Sequence, residues 1–240
     1  MFTTQRTLGA AALFLAILAR VALTAQAPAK TVWDGAYTDA QADRAKGEFS
    51  STCSRCHTLT PDGARPLVGP EFWRVNTQKS VGDLLKFVST SMPNGRDAGS
   101  LSPSAYNDLV ALILRANGFP AGTTEVTPEA VASIQIVPKD GPGDLPANTL
   151  ARVVGCLAPK EGADWTITNA TAPLRVDKPG AGTDDATREL GDRTMTLKFV
   201  LSRLDQSVGK RVSVSGLLLG AGGADGINVS LVTRVADACP

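Results

Sequence analysis

The sequence predicts an all-α domain followed by a small all-β domain. Up to about residue 118 the apolar residues recur at helical spacing, whereas after residue 149 they alternate with polar residues, as in half-buried strands. Residues 121–148, between these two regions, are rich in Gly, Pro and Thr and are predicted to be a linker. The predicted domains are therefore residues 34–120 and residues 149–240.

The first 27 residues have the pattern of a secretory signal peptide. Arg6 is followed by an apolar run at residues 8–19 and by the small-residue pattern Ala25-Gln26-Ala27. The apolar run of about a dozen residues is shorter than the roughly 20 residues that span a bilayer. We therefore predict export, cleavage and a periplasmic mature protein. The alternative is an uncleaved membrane anchor, because apolar residues resume after Arg20.

The composition limits the classes of partner. The chain has 24 Lys and Arg residues against 23 Asp and Glu residues, and 43% of its residues are hydrophobic. A nearly neutral chain lacks the excess of positive charge that binding to nucleic acid or to an anionic membrane surface requires. We expect no nucleic acid as partner and no membrane span in the mature chain.

Three helices are predicted in the first domain. Polar residues of the kind that cap helix N-termini precede each of them: Thr38 for a helix ending at Cys53, Ser80 for a second helix, and Ser102 for a third helix that closes at Asn117. Five segments of the second domain alternate like strands: 151–157, 164–170, 195–201, 211–219 and 227–235. They predict a small five-stranded barrel that is OB-like in architecture, which implies no function by itself.

The motif CSRCH at residues 53–57 is the main candidate for chemistry, because His57 is the only histidine of the chain. Three interpretations compete: a redox dithiol, part of a zinc site, and a covalent haem attachment point. A redox dithiol normally begins a helix after a strand, and no strand is predicted near residue 53. A zinc site would need ligands from distant cysteines. Covalent haem attachment needs only the two thiols, which form thioethers with the haem vinyl groups, and the histidine that follows them.

Residues 38–118 resemble class I c-type cytochromes, the small single-haem carriers of bacteria. The resemblance implies one covalent haem c per chain, held through Cys53 and Cys56, with His57 as one axial iron ligand. In this family a methionine in a short Met-Pro turn supplies the other axial ligand, and STSMPNG offers Met92. The alternative for Met92 is a side chain that only fills the core.

The resemblance also implies a role for Gly69 and Pro70. In the family a glycine-proline pair after the haem motif places a backbone carbonyl beside the histidine ring, and such an acceptor fixes the ring orientation. The alternative is that Pro70 only forms a turn.

The function implied by the resemblance is electron transfer. A haem iron with both axial positions filled carries single electrons, so we expect a periplasmic carrier between a dehydrogenase and a downstream acceptor, and not an enzyme. Two alternatives stay open: a fixed electron-transfer subunit of a periplasmic dehydrogenase complex, and a haem protein with an open sixth site for sensing or catalysis.

The other two cysteines, Cys156 and Cys239, both lie in the predicted β domain. In an exported protein a remaining pair of cysteines suggests a disulfide. The alternative is two independent buried thiols.

Overall fold

The computed structural model describes residues 30–141, 143–159, 162 and 164–239. The predicted signal peptide, residues 1–27, lies outside the described residues. The described chain is mixed α/β, so the prediction of an all-α cytochrome c domain followed by an all-β domain is wrong. The helical region itself contains a two-stranded antiparallel sheet, formed by β1 (Lys79–Ser80) and β2 (Gln135–Ile136).

Five short α-helices lie among the described residues of the N-terminal half. They are α1 (Asp39–Glu48), α2 (Pro70–Asn76), α3 (Val81–Ser91), α4 (Pro103–Ala116) and α5 (Pro128–Val131). The predicted caps at Thr38, Ser80 and Ser102 are confirmed, since each side chain accepts a hydrogen bond from a backbone N–H in the first turn of its helix. These caps explain where α1, α3 and α4 begin.

Helix α1 packs against α4 through small side chains and charged contacts. Ala42 and Ala45 are buried on α1, which allows the two helices to approach closely. Arg44 donates two hydrogen bonds of 2.9 Å to the carboxylate of Asp108 on α4. Bidentate pairing of a guanidinium with a carboxylate fixes the orientation of both groups. The packing therefore sets the direction in which the chain leaves α1 toward Cys53.

The segment predicted to be a linker, residues 121–148, packs on the helical core. Val126, Val131 and Ile136 are fully buried there. The side chain of Gln41 on α1 accepts a hydrogen bond from the Val126 N–H at 2.7 Å and donates to the Val126 carbonyl at 3.2 Å. The Gly- and Pro-rich composition predicts loops, but it does not reveal these widely spaced apolar residues. Their burial brings β2 back to β1.

Six strands form the sheet of the C-terminal half. They are β3 (Leu150–Leu157), β4 (Trp165–Ala170), β5 (Leu174–Arg175), β6 (Arg193–Lys198), β7 (Arg211–Leu219) and β8 (Gly226–Ala236). Their order is β4-β6-β8-β7-β3-β5, and β3 also pairs with β4, so five of the strands close into a ring. The β6–β8 pairing is parallel and the other pairings are antiparallel.

The inner face of this sheet forms a second apolar core. Its fully buried side chains include Val153, Ile167, Leu197, Val214 and Ile227. They come from alternate positions of the strands, since successive side chains of a strand point to opposite faces. The strand β5 is not predicted from the sequence, because its two residues are too few to show an alternating pattern.

The predicted disulfide between Cys156 and Cys239 is confirmed. The two Cα atoms are 5.6 Å apart, and the bond joins β3 to the residues that follow β8. Cys53 and Cys56 are free thiols. Among the described residues, no helix has the length and apolar character needed to cross a lipid bilayer.

Candidate functional site

The CSRCH segment begins in an irregular turn at the end of α1. A single π-helical turn, Phe49–Cys53, continues α1, and the N–H groups of Cys56 and His57 both donate to the Cys53 carbonyl, at 3.0 and 2.9 Å. Cys53 is partly buried and packs against the helical core, whereas Cys56 is exposed. The two thiols therefore have different environments, although only two residues separate them.

The imidazole ring of His57 is held by a backbone carbonyl. Its Nδ1 atom lies 2.9 Å from the carbonyl oxygen of Arg65. Because a carbonyl only accepts hydrogen bonds, Nδ1 carries the proton, and the lone pair of a neutral ring lies on Nε2. The resemblance predicts this carbonyl near Gly69 and Pro70. The structure places it four residues earlier, at Arg65, which no sequence pattern distinguishes.

Gly69 and Pro70 begin helix α2. Gly69 has a positive φ of 67° and caps the helix, and Pro70 is its first residue. The Gly69 N–H donates to the side-chain oxygen of Asn117 at 3.1 Å. A Cβ at Gly69 would meet nothing closer than Pro61 at 3.5 Å. The backbone conformation, and not the lack of space, therefore explains the glycine.

Met92 ends helix α3 in an extended conformation. Its N–H donates to the Val88 carbonyl, and its own carbonyl oxygen accepts a hydrogen bond of 2.7 Å from the hydroxyl group of Tyr106. That hydroxyl also accepts from the N–H of Leu101 at 3.2 Å. The loop from residue 92 to residue 101 is thus held at both ends by one buried tyrosine.

Helix α4 positions both loops of the candidate site: the His57 loop, residues 57–69, and the Met92 loop, residues 92–101. Tyr106, in its first turns, holds the Met92 loop, and Asn117, at its C-terminal cap, holds the His57 loop through Gly69 and through the Leu67 carbonyl at 2.9 Å. The two anchors are about 16 Å apart along the helix axis, at 1.5 Å per residue. Neither anchor is predicted from the sequence. The only sequence feature that points to either anchor is the position of Asn117 at the end of the predicted third helix.

Several apolar side chains beside these loops are only partly buried. Those that pack on the helical core include Leu59, Leu67, Val88 and Leu101. They come from the His57 loop, from α3 and from the end of the Met92 loop. The loops that carry the predicted site residues therefore present apolar surface next to polar backbone groups.

The Cys53 thiol is not activated for thiol–disulfide exchange. Burial raises the pKa of this thiol, and the negative charge of Glu48 raises the pKa further. The thiol also follows the C-terminal end of α1, where the helix dipole disfavours a thiolate. Reactive cysteines of redox dithiols have lowered pKa values and lie at helix N-termini. This environment disfavours the redox-dithiol interpretation.

The cofactor prediction requires correction. Within the described part of the chain, no group of three or more His, Cys, Asp and Glu side chains could hold a metal ion. Cys53 packs on the core, Cys56 faces solvent, and the His57 ring is bonded to Arg65, so these side chains do not form one cluster. The structure does not support covalent haem c as the cofactor, and it does not support a zinc site either.

Comparison of the chain with protein-family models, with curated proteins and with solved structures finds no match. The resemblance of residues 38–118 to class I c-type cytochromes therefore depends on the quoted motifs alone.

Proposed function

We propose that this chain is an exported protein of the periplasm that passes single electrons between a dehydrogenase and a downstream acceptor. The proposed work is electron transfer and not turnover of a substrate. The observation that carries the proposal is the oriented ring of His57. With Nδ1 bonded to the Arg65 carbonyl, the lone pair of Nε2 is the one that remains available for binding.

The anchoring of the two loops supports this proposal. A site that exchanges electrons works best when its surroundings change little between oxidation states, and rigid elements hold such a site most accurately. Tyr106 and Asn117 hold the Met92 loop and the His57 loop on the same helix. The adjacent apolar side chains would restrict the access of water to this region.

A fixed subunit of a dehydrogenase complex is the second candidate function. One observation favours it: Phe199 and Leu201, in the loop after β6, are 73% and 98% exposed. Large exposed apolar side chains that are close in sequence are typical of protein contact surfaces. If the chain is such a subunit, its C-terminal half would bind the electron donor.

Coulometric titration of the exported protein tests the proposal. We expect reversible uptake of one electron per chain by the wild type and its loss in the variant His57→Ala, which removes the oriented ring nitrogen. The double variant Cys156→Ser/Cys239→Ser is the control, because it changes the other half of the chain, and it should keep the uptake. Absence of any reversible uptake by the wild type, or equal loss in both variants, would refute the proposal.

A further inference from the structure

A cavity of about 430 Å³ lies where the helical half meets the β half. Its lining includes Val75, Lys79 and Phe87 from the helical half and Arg175 and Asp177 from the β half. Its volume is within the range of small-molecule sites, about 300–1,000 Å³. The site is separate from residues 53–57, and the inference does not depend on the proposed function.

Arg175 is held rigidly at this cavity. Its Nε donates to the Thr77 carbonyl at 2.9 Å, and its backbone N–H donates to the side-chain oxygen of Gln78 at 2.9 Å. The Nη2 atom of the same guanidinium is buried and has no hydrogen-bond partner among the described residues. A buried charged donor without a partner costs free energy, which a bound acceptor would recover.

Lys79 adds a second positive charge at the cavity. Burial lowers the pKa of Lys79, and the charge of Arg175 lowers it further, so the two cations disfavour each other. Neither forms an ion pair within 4.0 Å with a carboxylate of the described residues. Asp83 also lines the cavity, but its Oδ2 accepts from the N–H and the hydroxyl group of Ser80. The carboxylates of Asp83 and Asp177 also line the cavity and favour the charged forms of the two cations, but neither carboxylate is in direct contact with them.

Three side chains of the lining are apolar. Val75 and Phe87 are 37% and 54% exposed, and Leu84 also lines the cavity. An aromatic ring exposed at the edge of a cavity can bury much of its surface against a ligand. The lining thus combines two cationic side chains with apolar ones.

We propose that this cavity binds a small organic monocarboxylate. Its carboxylate would accept hydrogen bonds from Nη2 of Arg175 and Nζ of Lys79, and its apolar part would pack on Phe87 and Val75. Charge-assisted hydrogen bonds of this kind are among the stronger polar contacts. The nearby carboxylates of Asp83 and Asp177 would repel a dianion such as phosphate, so a single negative charge fits best.

Isothermal titration calorimetry with benzoate tests this assignment. Benzoate should bind saturably at one site per chain. Benzyl alcohol, the neutral analogue, and inorganic phosphate should each bind at least about tenfold more weakly, the effect expected for loss of a charged hydrogen bond. Saturable binding of phosphate or benzyl alcohol with the affinity of benzoate, or absence of benzoate binding, would overturn the proposal.

Three variants locate the site. Lys79→Gln should weaken benzoate binding about tenfold through loss of one charge. Phe87→Ser, at an exposed position where folding is little affected, should weaken it through loss of an apolar contact. Lys86→Gln is the matched control, because Lys86 is an exposed lysine of α3 outside this lining. Unchanged affinity in both test variants, or an equal loss in the control, would contradict the assignment.

Discussion

The hydroxyl group of Tyr106 donates a hydrogen bond to the carbonyl oxygen of Met92, with the two oxygen atoms 2.7 Å apart. Because the same hydroxyl accepts from the Leu101 N–H, Tyr106→Phe leaves that donor without its partner, whereas the Met92 carbonyl keeps a hydrogen bond of 3.1 Å from the Gly99 N–H. We expect the free energy of unfolding to fall by about 1–3 kcal/mol, the cost of one unsatisfied polar group. Urea denaturation measures this change.

Tyr37→Phe is the matched control for this prediction. Its hydroxyl group donates to the Phe119 carbonyl at 2.8 Å, and the residue is as buried as Tyr106. Both variants should be destabilised, but only Tyr106→Phe should increase hydrogen exchange at the amide of Leu101. Equal exchange at Leu101 in the two variants would show that Tyr106 does not hold the loop.

The second prediction concerns Asn117→Ala. The variant removes the donor to the Leu67 carbonyl and the acceptor of the Gly69 N–H, so the loop that presents the Arg65 carbonyl to His57 should loosen. We expect a loss of about 1–2 kcal/mol of stability, the usual contribution of one to two hydrogen bonds. NMR of the only histidine ring should show faster exchange of its Nδ1 proton. Asn94→Ala, at an exposed asparagine, should change neither quantity.

The third prediction compares two glycines. Gly69→Ala should destabilise the protein by about 1 kcal/mol or more, because its φ of 67° is unfavourable for a residue with a Cβ. Gly47→Ala, inside α1 where an added Cβ would have nothing within 4 Å, should stabilise it by about 0.5–1 kcal/mol. Thermal unfolding of the two variants should therefore shift in opposite directions. A shift of both in the same direction would contradict the backbone explanation for Gly69.

The fourth prediction concerns the disulfide. Its cysteines are 83 positions apart in the sequence. On the chain-entropy model, a closed loop of this size contributes about 4 kcal/mol to stability. The variant Cys239→Ser should lose a similar amount in denaturant unfolding, and amide exchange should rise along β3 and the end of β8. Peptide mapping that finds both cysteines free in the exported wild type would contradict the bond.

The features that the sequence predicts well are local ones. The predicted cap Ser80 forms a capping box with Asp83, in which each side chain bonds to the other residue's N–H, because residues three apart are neighbours in the first turn of a helix. Gln41 shows the opposite case. Its spacing from Thr38 predicts a capping box, but its buried amide bonds to Val126, 85 positions away. No local pattern encodes such a contact.

The wrong predictions of the fold class and of the cofactor have a related cause, because local sequence patterns do not show tertiary contacts. Composition suggests a linker at residues 121–148, but a few separated apolar residues bring this segment onto the helical core and form β2, which makes the fold mixed α/β. The CSRCH motif indicates the candidate segment and suggests haem c. It cannot show that Cys56 faces solvent, or that the Arg65 carbonyl and Asn117 hold the loop around His57.

Protein-film voltammetry of the exported protein tests the central claim most directly. If the chain carries single electrons, the potential should change by about 59 mV for each tenfold change in the ratio of oxidised to reduced protein. His57→Ala should shift or abolish this response, because the variant removes the oriented imidazole nitrogen. A slope of about 30 mV, which indicates a two-electron couple, or the absence of any response in the wild type, would contradict the account.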